Sequence, residues 1–170
     1  VQFYENKFCA KVDMRNRWNS DPAMAGGGVI IDNGTHSVDI VRYLIGPIRR
    51  ISAVEGKRIN DLPVEETAYL SFATENNVVG TISLSWSVTV SQGEYVEIYG
   101  TDGILKIGWQ ESRYQPSGHQ QWISFGVGYN KVEAFKNQVK NFVETVRGSA
   151  QPLISMEECL ASVEVIECAY

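Results

Sequence analysis

A regular alternation of apolar and polar residues at positions 78–88 limits the possible folds of this chain more than any other feature. The apolar positions are Val78, Gly80, Ile82, Leu84, Trp86 and Val88. Successive side chains of a β-strand point to opposite faces of a sheet, so this pattern predicts a strand with one buried face. The chain must therefore build a sheet whose apolar face is covered by other elements.

Five further segments have strand-like composition, and turns separate most of them. They are residues 8–15, 48–55, 67–73, 95–99 and 104–109. The alternation within residues 8–15 makes that segment the predicted first strand. The sequence Gly-Thr-Asp-Gly at residues 100–103 predicts a tight hairpin between the last two segments. A chain that reverses direction at successive turns forms a mostly antiparallel sheet.

Three segments predict helices. The first follows a glycine-rich hinge and ends before Gly46-Pro47, which is a common helix stop. The second follows Asn130 and has apolar residues three and four positions apart up to residue 146. The third follows a capping box of Ser155 and Glu158 and runs to the end of the sequence. Its residues expected to face the core are Leu160, Val163 and Ile166.

Together these elements predict one α+β domain over residues 1–170, with a large antiparallel sheet and helices packed on one face. The length of 170 residues and the hydrophobic fraction of 44% are typical of one globular core. Because the chain has no initiator Met and begins close to a strand, we expect it to be part of a longer protein.

The charge balance excludes two classes of partner. Fifteen Lys and Arg residues against twenty Asp and Glu residues give a net charge of −5, without long blocks of like charge. This balance predicts neither nucleic acid nor an anionic membrane as the main partner. The three cysteines have no C-x-x-C spacing, and no segment has the features of a membrane span or a signal peptide. We therefore expect a soluble cytoplasmic protein with reduced thiols.

The first predicted helix has its titratable side chains on one face. On a helical wheel His36, Asp39 and Tyr43 lie within about 40° of Asp32, and the apolar residues cluster on the opposite side. A carboxylate and an imidazole one turn apart can address the same bound molecule, and an imidazole exchanges protons readily near neutral pH. Asp32 and His36 are therefore candidate catalytic residues.

The same pattern permits three other interpretations. The polar residues can form the solvated face of an amphipathic helix. They can also ligate a metal ion, although the only other histidine, His119, lies in a distant segment. Finally, Asn33-Gly34 is a common hairpin turn, which would abolish the helix. The apolar positions that continue through Gly34 argue against this turn.

Two further segments have weaker signals. Gly126-Val127-Gly128, between an apolar strand at residues 122–125 and a helix, is similar to the start of a dinucleotide-binding fingerprint. Because Lys131 occupies the third glycine position and two helices follow, we predict a loop there. Arg15 and Trp18 lie near the end of the predicted first strand. Their side chains are suited to bind a polar ligand. An exposed strand end without a binding role is an equally good interpretation of the same residues.

The glycine triplet at residues 26–28, with Asp32, Gly34, His36 and Asp39, resembles the G-G-G-x-x-x-D-x-G-x-H-x-x-D signature of one oxidoreductase family. This is the glucose-fructose oxidoreductase, inositol dehydrogenase and rhizopine-catabolism (Gfo/Idh/MocA) family. Other segments are similar, in order, to its first strand end, helix exit, sheet hairpin and final helix. They are residues 17–18, 43–46, 97–105 and 152–170, so the resemblance covers nearly the whole chain.

This resemblance implies a dihydrodipicolinate-reductase-like C-terminal domain of an NAD- or NADP-dependent oxidoreductase. The family transfers hydride between the nicotinamide and a hydroxyl of a sugar, polyol or nucleotide sugar. The resemblance implies that Asp32 and His36 face the substrate, with His36 as the proton acceptor, and that Asp39 is structural. The further substrate contacts that it implies are Asn33, Arg15 and Trp18. It also implies a homodimer or homotetramer through the uncovered sheet face.

One departure from the family limits what this chain can do alone. The family has a catalytic lysine before a proline in its nucleotide-binding half, but none of the five prolines here follows a lysine. The dinucleotide fingerprint is also missing. We therefore expect the cofactor and its lysine to belong to a preceding half, and the isolated chain to be inactive, without cofactor or metal sites of its own. The alternative is a non-catalytic sheet module for oligomerisation or ligand binding.

Overall fold

The structure is a computed structural model that describes residues 1–90 and 93–170. The strands in these residues are β1 (Phe3–Cys9), β2 (Ile48–Glu55), β3 (Thr67–Thr74), β4 (Val79–Ser85), β5 (Glu94–Gly100), β6 (Gly103–Gly108), β7 (Ser112–Pro116) and β8 (Ile123–Phe125). The helices are α1 (Pro22–Ala25), α2 (Thr35–Leu44), α3 (Lys131–Val146) and α4 (Met156–Ala169). A 3-10 turn at Trp18–Ser20 precedes α1, and a π-helical turn at Ile30–Gly34 leads directly into α2.

All of these strands form one sheet in the order β2-β3-β4-β1-β5-β6-β7-β8. The first strand of the chain lies in the middle, where β1 runs parallel to β4 and antiparallel to β5. The other neighbouring pairs are antiparallel. The prediction of an α+β fold with a mostly antiparallel sheet is confirmed.

The strand register places side chains in rows that run across the whole sheet. One row consists of Ile51, Phe72, Gly80, Tyr4, Ile98, Leu105, Tyr114 and Ile123. The next row consists of Ser52, Ser71, Thr81, Glu5, Glu97, Lys106, Arg113 and Ser124. Because adjacent residues of a strand point to opposite faces, the two rows lie on opposite sides of the sheet, which we call the apolar face and the polar face after these central rows.

Helices cover only part of the apolar face, and the core lies beneath them. Helix α4 packs against α2 and β2, and the π-helical turn packs against β4. Beneath these helical segments Leu70, Ile82 and Leu84 are fully buried. At the far end of the same face Tyr114 and Ile123 remain partly exposed. The prediction that helices pack on one face is therefore confirmed over one half of the sheet.

The first strand lies earlier than predicted. It spans Phe3–Cys9, whereas the alternation predicted residues 8–15. The polar residue Asn6 masked the signal, because it is buried on the apolar face and its amide donates to a carbonyl of β5. Beyond β1 the chain still runs beside the end of β4, with the Val12 amide donating to the Trp86 carbonyl at 2.8 Å. The alternation therefore extends beyond the strand itself.

The first helix also differs from its prediction. The sequence predicted one helix from the glycine triplet to residue 45, but the helical segment begins at Ile30 and its first turn is π-helical. Asn33 and Gly34 lie inside this turn, so the alternative of a hairpin at these residues is wrong. A π-helical turn places one more residue in the turn than an α-helix does, and the alternation of apolar residues does not reveal it.

Helix α4 begins at the predicted capping box. The Ser155 hydroxyl accepts from the Glu158 amide, and the Glu158 carboxylate accepts from the Ser155 amide. The predicted core face is wrong in part, because Ile166 is buried but Leu160 and Val163 are exposed. The residues that accompany Ile166 in the core are Ser162, Val165 and Ala169. Two of these are small, which gave the buried face a weaker apolar signal than the exposed one.

The last strands of the sheet differ in part from their prediction, and the loop after them agrees with it. Strand β7 was not predicted, because its residues Ser112, Arg113 and Gln115 give it a polar composition. Gly126 and Gly128 have positive φ angles in the loop between β8 and α3, which confirms the predicted loop. Across residues 1–90 and 93–170, no helix is both long enough and apolar enough to cross a membrane.

Gly80 provides a test of the packing at the centre of the sheet. A Cβ atom there would lie 2.4 Å from Cζ of Phe72 and 2.7 Å from the carbonyl oxygen of Tyr4. We expect Gly80→Ala to lower the free energy of unfolding by about 1–3 kcal/mol in urea denaturation, because the backbones of β1 and β4 must separate. Gly100→Ala is the control, since its Cβ would lie 3.6 Å from the nearest atom. Equal losses in both variants would contradict this packing.

Candidate functional site

The segment with Asp32 and His36 is held at its start by Glu65, which lies just before β3. The carboxylate Oε1 of Glu65 accepts from the amides of Gly28 at 2.9 Å and Ile30 at 3.0 Å. The Glu65 carbonyl accepts from the amide of Val29 at 2.8 Å. These amides open a helical segment, where backbone donors lack partners and a negative charge is favoured. Glu65 thus caps the helix from a distant part of the chain.

The close approach of two other segments explains two glycines of the triplet, Gly27 and Gly28. A Cβ atom on Gly28 would lie 2.1 Å from the carbonyl oxygen of Glu65, and one on Gly27 would lie 2.1 Å from the hydroxyl of Tyr170. Neither neighbour can withdraw without losing a hydrogen bond to this region. Residues 27 and 28 therefore need to be glycine because Tyr170 and Glu65, both distant in sequence, approach them closely.

Tyr170 links α4 to the same carboxylate. Its hydroxyl donates to Oε1 of Glu65 at 2.6 Å. Burial and the neighbouring Glu65 carboxylate raise the pKa of Tyr170 well above its usual range. The phenol therefore remains a hydrogen-bond donor, and the Glu65 oxygen collects three donors in all.

The next residue, Glu66, holds the loop between β2 and β3 in place. Its carboxylate accepts from the Ile59 and Asn60 amides, the latter at 2.8 Å, and from the side chains of Asn60 and Ser87. Burial alone raises the pKa of Glu66, but the hydrogen bonds from these donors outweigh it, so the pKa lies below its ordinary value. Glu66 therefore remains ionised and fixes the loop before β3.

Asp32 and His36 lie on the side of the helical segment that faces away from the sheet. Asp32 is half-buried and His36 is exposed, whereas Gly34 and Val38 are buried. The hydroxyl of Thr35 donates to the Ile31 carbonyl at 2.5 Å, at the join between the π-helical turn and α2. Both side chains are thus available to one molecule outside the helix.

Asp39 has a different environment, although the sequence places it on the same face. Its carboxylate accepts from the Ser162 hydroxyl at 3.0 Å and so joins α2 to α4. This contact fits the structural role predicted for Asp39.

Asn33 borders a cavity of about 880 Å³ at the end of β1. Its amide donates to the Phe8 carbonyl at 3.4 Å, and Phe8, Trp109 and Glu94 also line the cavity. The rings of Phe8 and Trp109 stack at a centroid distance of 5.8 Å, and Tyr95 lies against both. Cavities with apolar walls and a few polar groups are typical of small-molecule sites.

Sequence analysis did not identify the aromatic wall of this cavity. Trp109 follows β6, and Phe8 is in β1, so the two meet only through the order of strands in the sheet. The alternation within each segment marks these residues as facing one side of a strand. It does not show that β1 lies beside β5, which brings the two ends together.

Arg15 and Trp18 lie elsewhere. The Arg15 guanidinium pairs with the Asp13 carboxylate at 2.7 Å, and both side chains are exposed. Trp18 is also exposed, and it lines a separate shallow groove with Met24. Neither residue lines the cavity beside Asn33. Asp32 and His36 do not line it either, so Asn33 is the one predicted site residue at this cavity, and Asp32 and His36 lie beside it along the same helical segment.

The described residues, 1–90 and 93–170, contain no group of three or more His, Cys, Asp or Glu side chains placed to hold a metal ion. His119, the possible second imidazole of a metal site, lies in the turn between β7 and β8. The three cysteines, Cys9, Cys159 and Cys168, are unpaired.

A comparison with known families connects this geometry to a defined domain. The sequence profile of the GFO/IDH/MocA C-terminal domain matches residues 2–106, a range that includes the glycine triplet, Asp32 and His36. The chain belongs to this family. The resemblance inferred from the motif is confirmed.

Relatives of this GFO/IDH/MocA domain are oxidoreductases of about twice its length. The scyllo-inositol 2-dehydrogenase (NAD(+)) of Bacillus subtilis is 26% identical over 152 residues, which are 82% of this chain and 43% of that protein. The structure of levoglucosan dehydrogenase in complex with NADH has a TM-score of 0.86 at 15% identity and covers 99% of this chain and 55% of that one. Aldose-aldose oxidoreductase from Caulobacter crescentus, complexed with glycerol, has a TM-score of 0.83 at 21% identity, with 98% and 51% covered. These structures show that the fold is shared.

Substitution of Glu65 tests whether it holds the start of the helical segment. Glu65→Ala leaves the amides of Gly28 and Ile30 and the Tyr170 hydroxyl without their shared acceptor. We expect the free energy of unfolding to fall by at least about 2 kcal/mol, because each buried unpaired donor costs about 1–3 kcal/mol. Chemical denaturation measures the loss, and Glu111→Ala is the control, since Glu111 is an exposed carboxylate with one hydrogen bond, from Ser124. If the two variants lose the same stability, Glu65 does not have this role.

Proposed function

We propose that this chain is the substrate-binding half of an NAD(P)-dependent oxidoreductase. The observation that supports this most directly is the half-buried Asp32 and the exposed His36 on one side of a helical segment capped by Glu65, with Asn33 beside a cavity. Family membership agrees with it, because the scyllo-inositol relative is named as an NAD(+)-dependent dehydrogenase and levoglucosan dehydrogenase was solved with NADH. The proposed substrate class is a sugar, polyol or nucleotide sugar with a reactive hydroxyl.

In the proposed reaction this chain accepts the proton of the substrate and positions the substrate. His36 accepts the proton of the substrate hydroxyl while the carbon gives up its hydride, so that the alcohol becomes a carbonyl. Asp32 hydrogen-bonds the same hydroxyl or orients the imidazole. A bound NAD or NADP supplies the hydride acceptor, and reduction is the reverse of this sequence. An exposed imidazole suits this role, because it can exchange the proton with water between turnovers.

The cavity beside Asn33 supports the choice of a carbohydrate-like substrate. Its flat wall of Phe8 and Trp109 can contact the apolar face of a sugar or cyclitol ring, and Glu94 and Asn33 can hydrogen-bond hydroxyl groups. We propose Asn33 as a substrate contact. Arg15 and Trp18 are proposed contacts for the part of a larger substrate that extends beyond this cavity.

We propose that a preceding half of the same polypeptide binds the dinucleotide. This chain contains neither the glycine fingerprint nor a Lys-Pro pair, and it spans about half the length of its relatives. The isolated chain is then inactive and has no cofactor site or metal site of its own. A cytoplasmic location is part of the proposal and agrees with three unpaired thiols.

Removal of the His36 imidazole tests the proposed proton transfer. In the native-length protein we expect His36→Ala to lower the rate of hydride transfer at least about a hundredfold, because general base catalysis contributes about 10²–10⁴. Cofactor affinity should remain nearly unchanged. NADH absorbance follows the reaction, and His119→Ala is the control, since it replaces the only other histidine. A fully active His36 variant would remove this residue from the mechanism.

A second candidate function is supported by the polar face of the sheet. Its central row is polar across all the described strands, and Glu97 pairs with Lys106 in it at 2.8 Å. The sequence predicted helices on the other face of the sheet. Charged, hydrogen-bonding faces of this kind can match a second copy across a two-fold axis. We propose that the chain forms a homodimer or homotetramer through this face, whether or not it also catalyses.

Light scattering with substitutions on the polar face tests the proposed assembly. We expect the wild-type protein to have twice or four times the mass of one polypeptide. Thr81→Arg, in the middle of the polar row, should shift it toward monomer, because it brings a large like charge onto both copies. Lys57→Arg, in the loop between β2 and β3, is the control. A wild-type protein that is monomeric at micromolar concentration would contradict the proposal.

A further inference from the structure

Helix α4 turns one row of side chains toward the segment that carries Asp32 and His36. The row consists of Ser162 and Ile166 in the helix and Tyr170 directly after it, at intervals of four residues. Residues four apart in an α-helix lie one above the other on the same face. We call these three residues the α4 row.

The two ends of the α4 row form hydrogen bonds to the two ends of that segment. The Ser162 hydroxyl donates to Oδ1 of Asp39 at 3.0 Å. The Tyr170 hydroxyl donates at 2.6 Å to Oε1 of Glu65, the oxygen that also binds the amides at the start of the segment. The contacts occur in opposite order along the two chain segments, so α4 runs antiparallel to the segment.

The middle residue of the row packs against the π-helical turn. A Cβ atom on Gly34, the last residue of this turn, would lie 3.5 Å from Cδ1 of Ile166 and 3.2 Å from Cδ1 of Leu84 in β4. The turn contacts both α4 and β4. Because residue 34 has no side chain, the backbone between Asp32 and His36 lies close to the helix and to the sheet.

The two hydrogen bonds of the α4 row bracket the candidate pair. One acts through Glu65 on the backbone four residues before Asp32, and the other acts on the side chain three residues after His36. Both donors belong to the same helical element, which also packs on β2. The segment is therefore tied to the sheet on both sides of the candidate pair.

We propose that Tyr170 and Ser162 are positioning residues for the transfer of the proton to His36, an inference that rests on the proposed function. Each hydroxyl acts through its acceptor and not on the substrate itself. A proton is transferred only across a hydrogen-bond distance, and a misplacement of about 1 Å can lower a rate about a hundredfold. The family motif supplies the reacting groups, and the α4 row sets where they lie.

Removal of the Tyr170 hydroxyl from the native-length protein tests this inference. We expect Tyr170→Phe to lower kcat at least about tenfold and to change KM less than about threefold, because misorientation of the proton acceptor acts mainly in the transition state. Dinucleotide affinity should change less than about twofold. Ser162→Ala should also lower kcat with little change in KM. NADH or NADPH absorbance follows the reaction with D-glucose, myo-inositol and UDP-glucose, which represent a sugar, a polyol and a nucleotide sugar.

Two controls separate positioning from stability. Tyr114→Phe removes the same atom from a tyrosine of β7, at the far end of the sheet. Gly80→Ala destabilises the centre of the sheet without touching the α4 row. A contact that only stabilises the fold leaves kcat of the folded protein unchanged. We therefore expect both controls to retain kcat within about twofold at a temperature where circular dichroism shows every variant to be folded.

The outcomes of this comparison decide the inference. A loss of kcat that Tyr170→Phe and Ser162→Ala share, and that both controls lack, supports it. Wild-type kcat in either hydroxyl variant, or an equal loss in a control, overturns it. A loss confined to KM also overturns it, because the hydroxyl then affects substrate binding and not proton transfer. If one hydroxyl variant does not fold, the other decides by the same criteria.

Wild-type protein and His36→Ala, measured in the same assay, separate this inference from the proposed function. An active wild type that loses its activity in His36→Ala but keeps it in Tyr170→Phe retains the proposed function and loses the inference. A wild-type protein that binds neither dinucleotide and oxidises none of the three substrates overturns both.

Discussion

The carboxylate of Glu65 is the contact on which the arrangement of the site depends. One oxygen joins the start of the helical segment, the strand β3 region and the end of α4. Most helices are capped by a residue adjacent to them, but this cap comes from 37 positions away. The glycines of the family motif are therefore a steric requirement of a long-range contact. Asp32 and His36 keep their orientation because the backbone before them is bound on two sides.

The strand register divides the sheet into two surfaces with different chemistry. The row from Ile51 to Ile123 is apolar and the adjacent row from Ser52 to Ser124 is polar, so the two faces differ in chemistry along the centre of the sheet. On the apolar face α2 and α4 cover one half and leave the other half less protected.

Local patterns predicted most of the strands, the three longer helices and the family motif, because each depends on residues close in sequence. Two of the errors occurred where a distant contact overrides the local signal. Asn6 is buried because a carbonyl of β5 accepts its hydrogen bond, and Ser162 is buried because it bonds Asp39. The aromatic wall of Phe8 and Trp109, like the role of Glu65, follows from strand order. No periodicity within a segment contains that information.

The central position of β1 has a consequence for how the sheet can form. Its partners β4 and β5 lie about 75 and 95 residues later, so the pairing that unites the sheet has a high contact order. Until β1 is inserted, β2 to β4 and β5 to β8 are separate sheets, each with an additional open edge. Open edges promote aggregation through strand pairing between molecules. The slowest and most vulnerable stage of folding is therefore the insertion of seven residues between two preformed ladders.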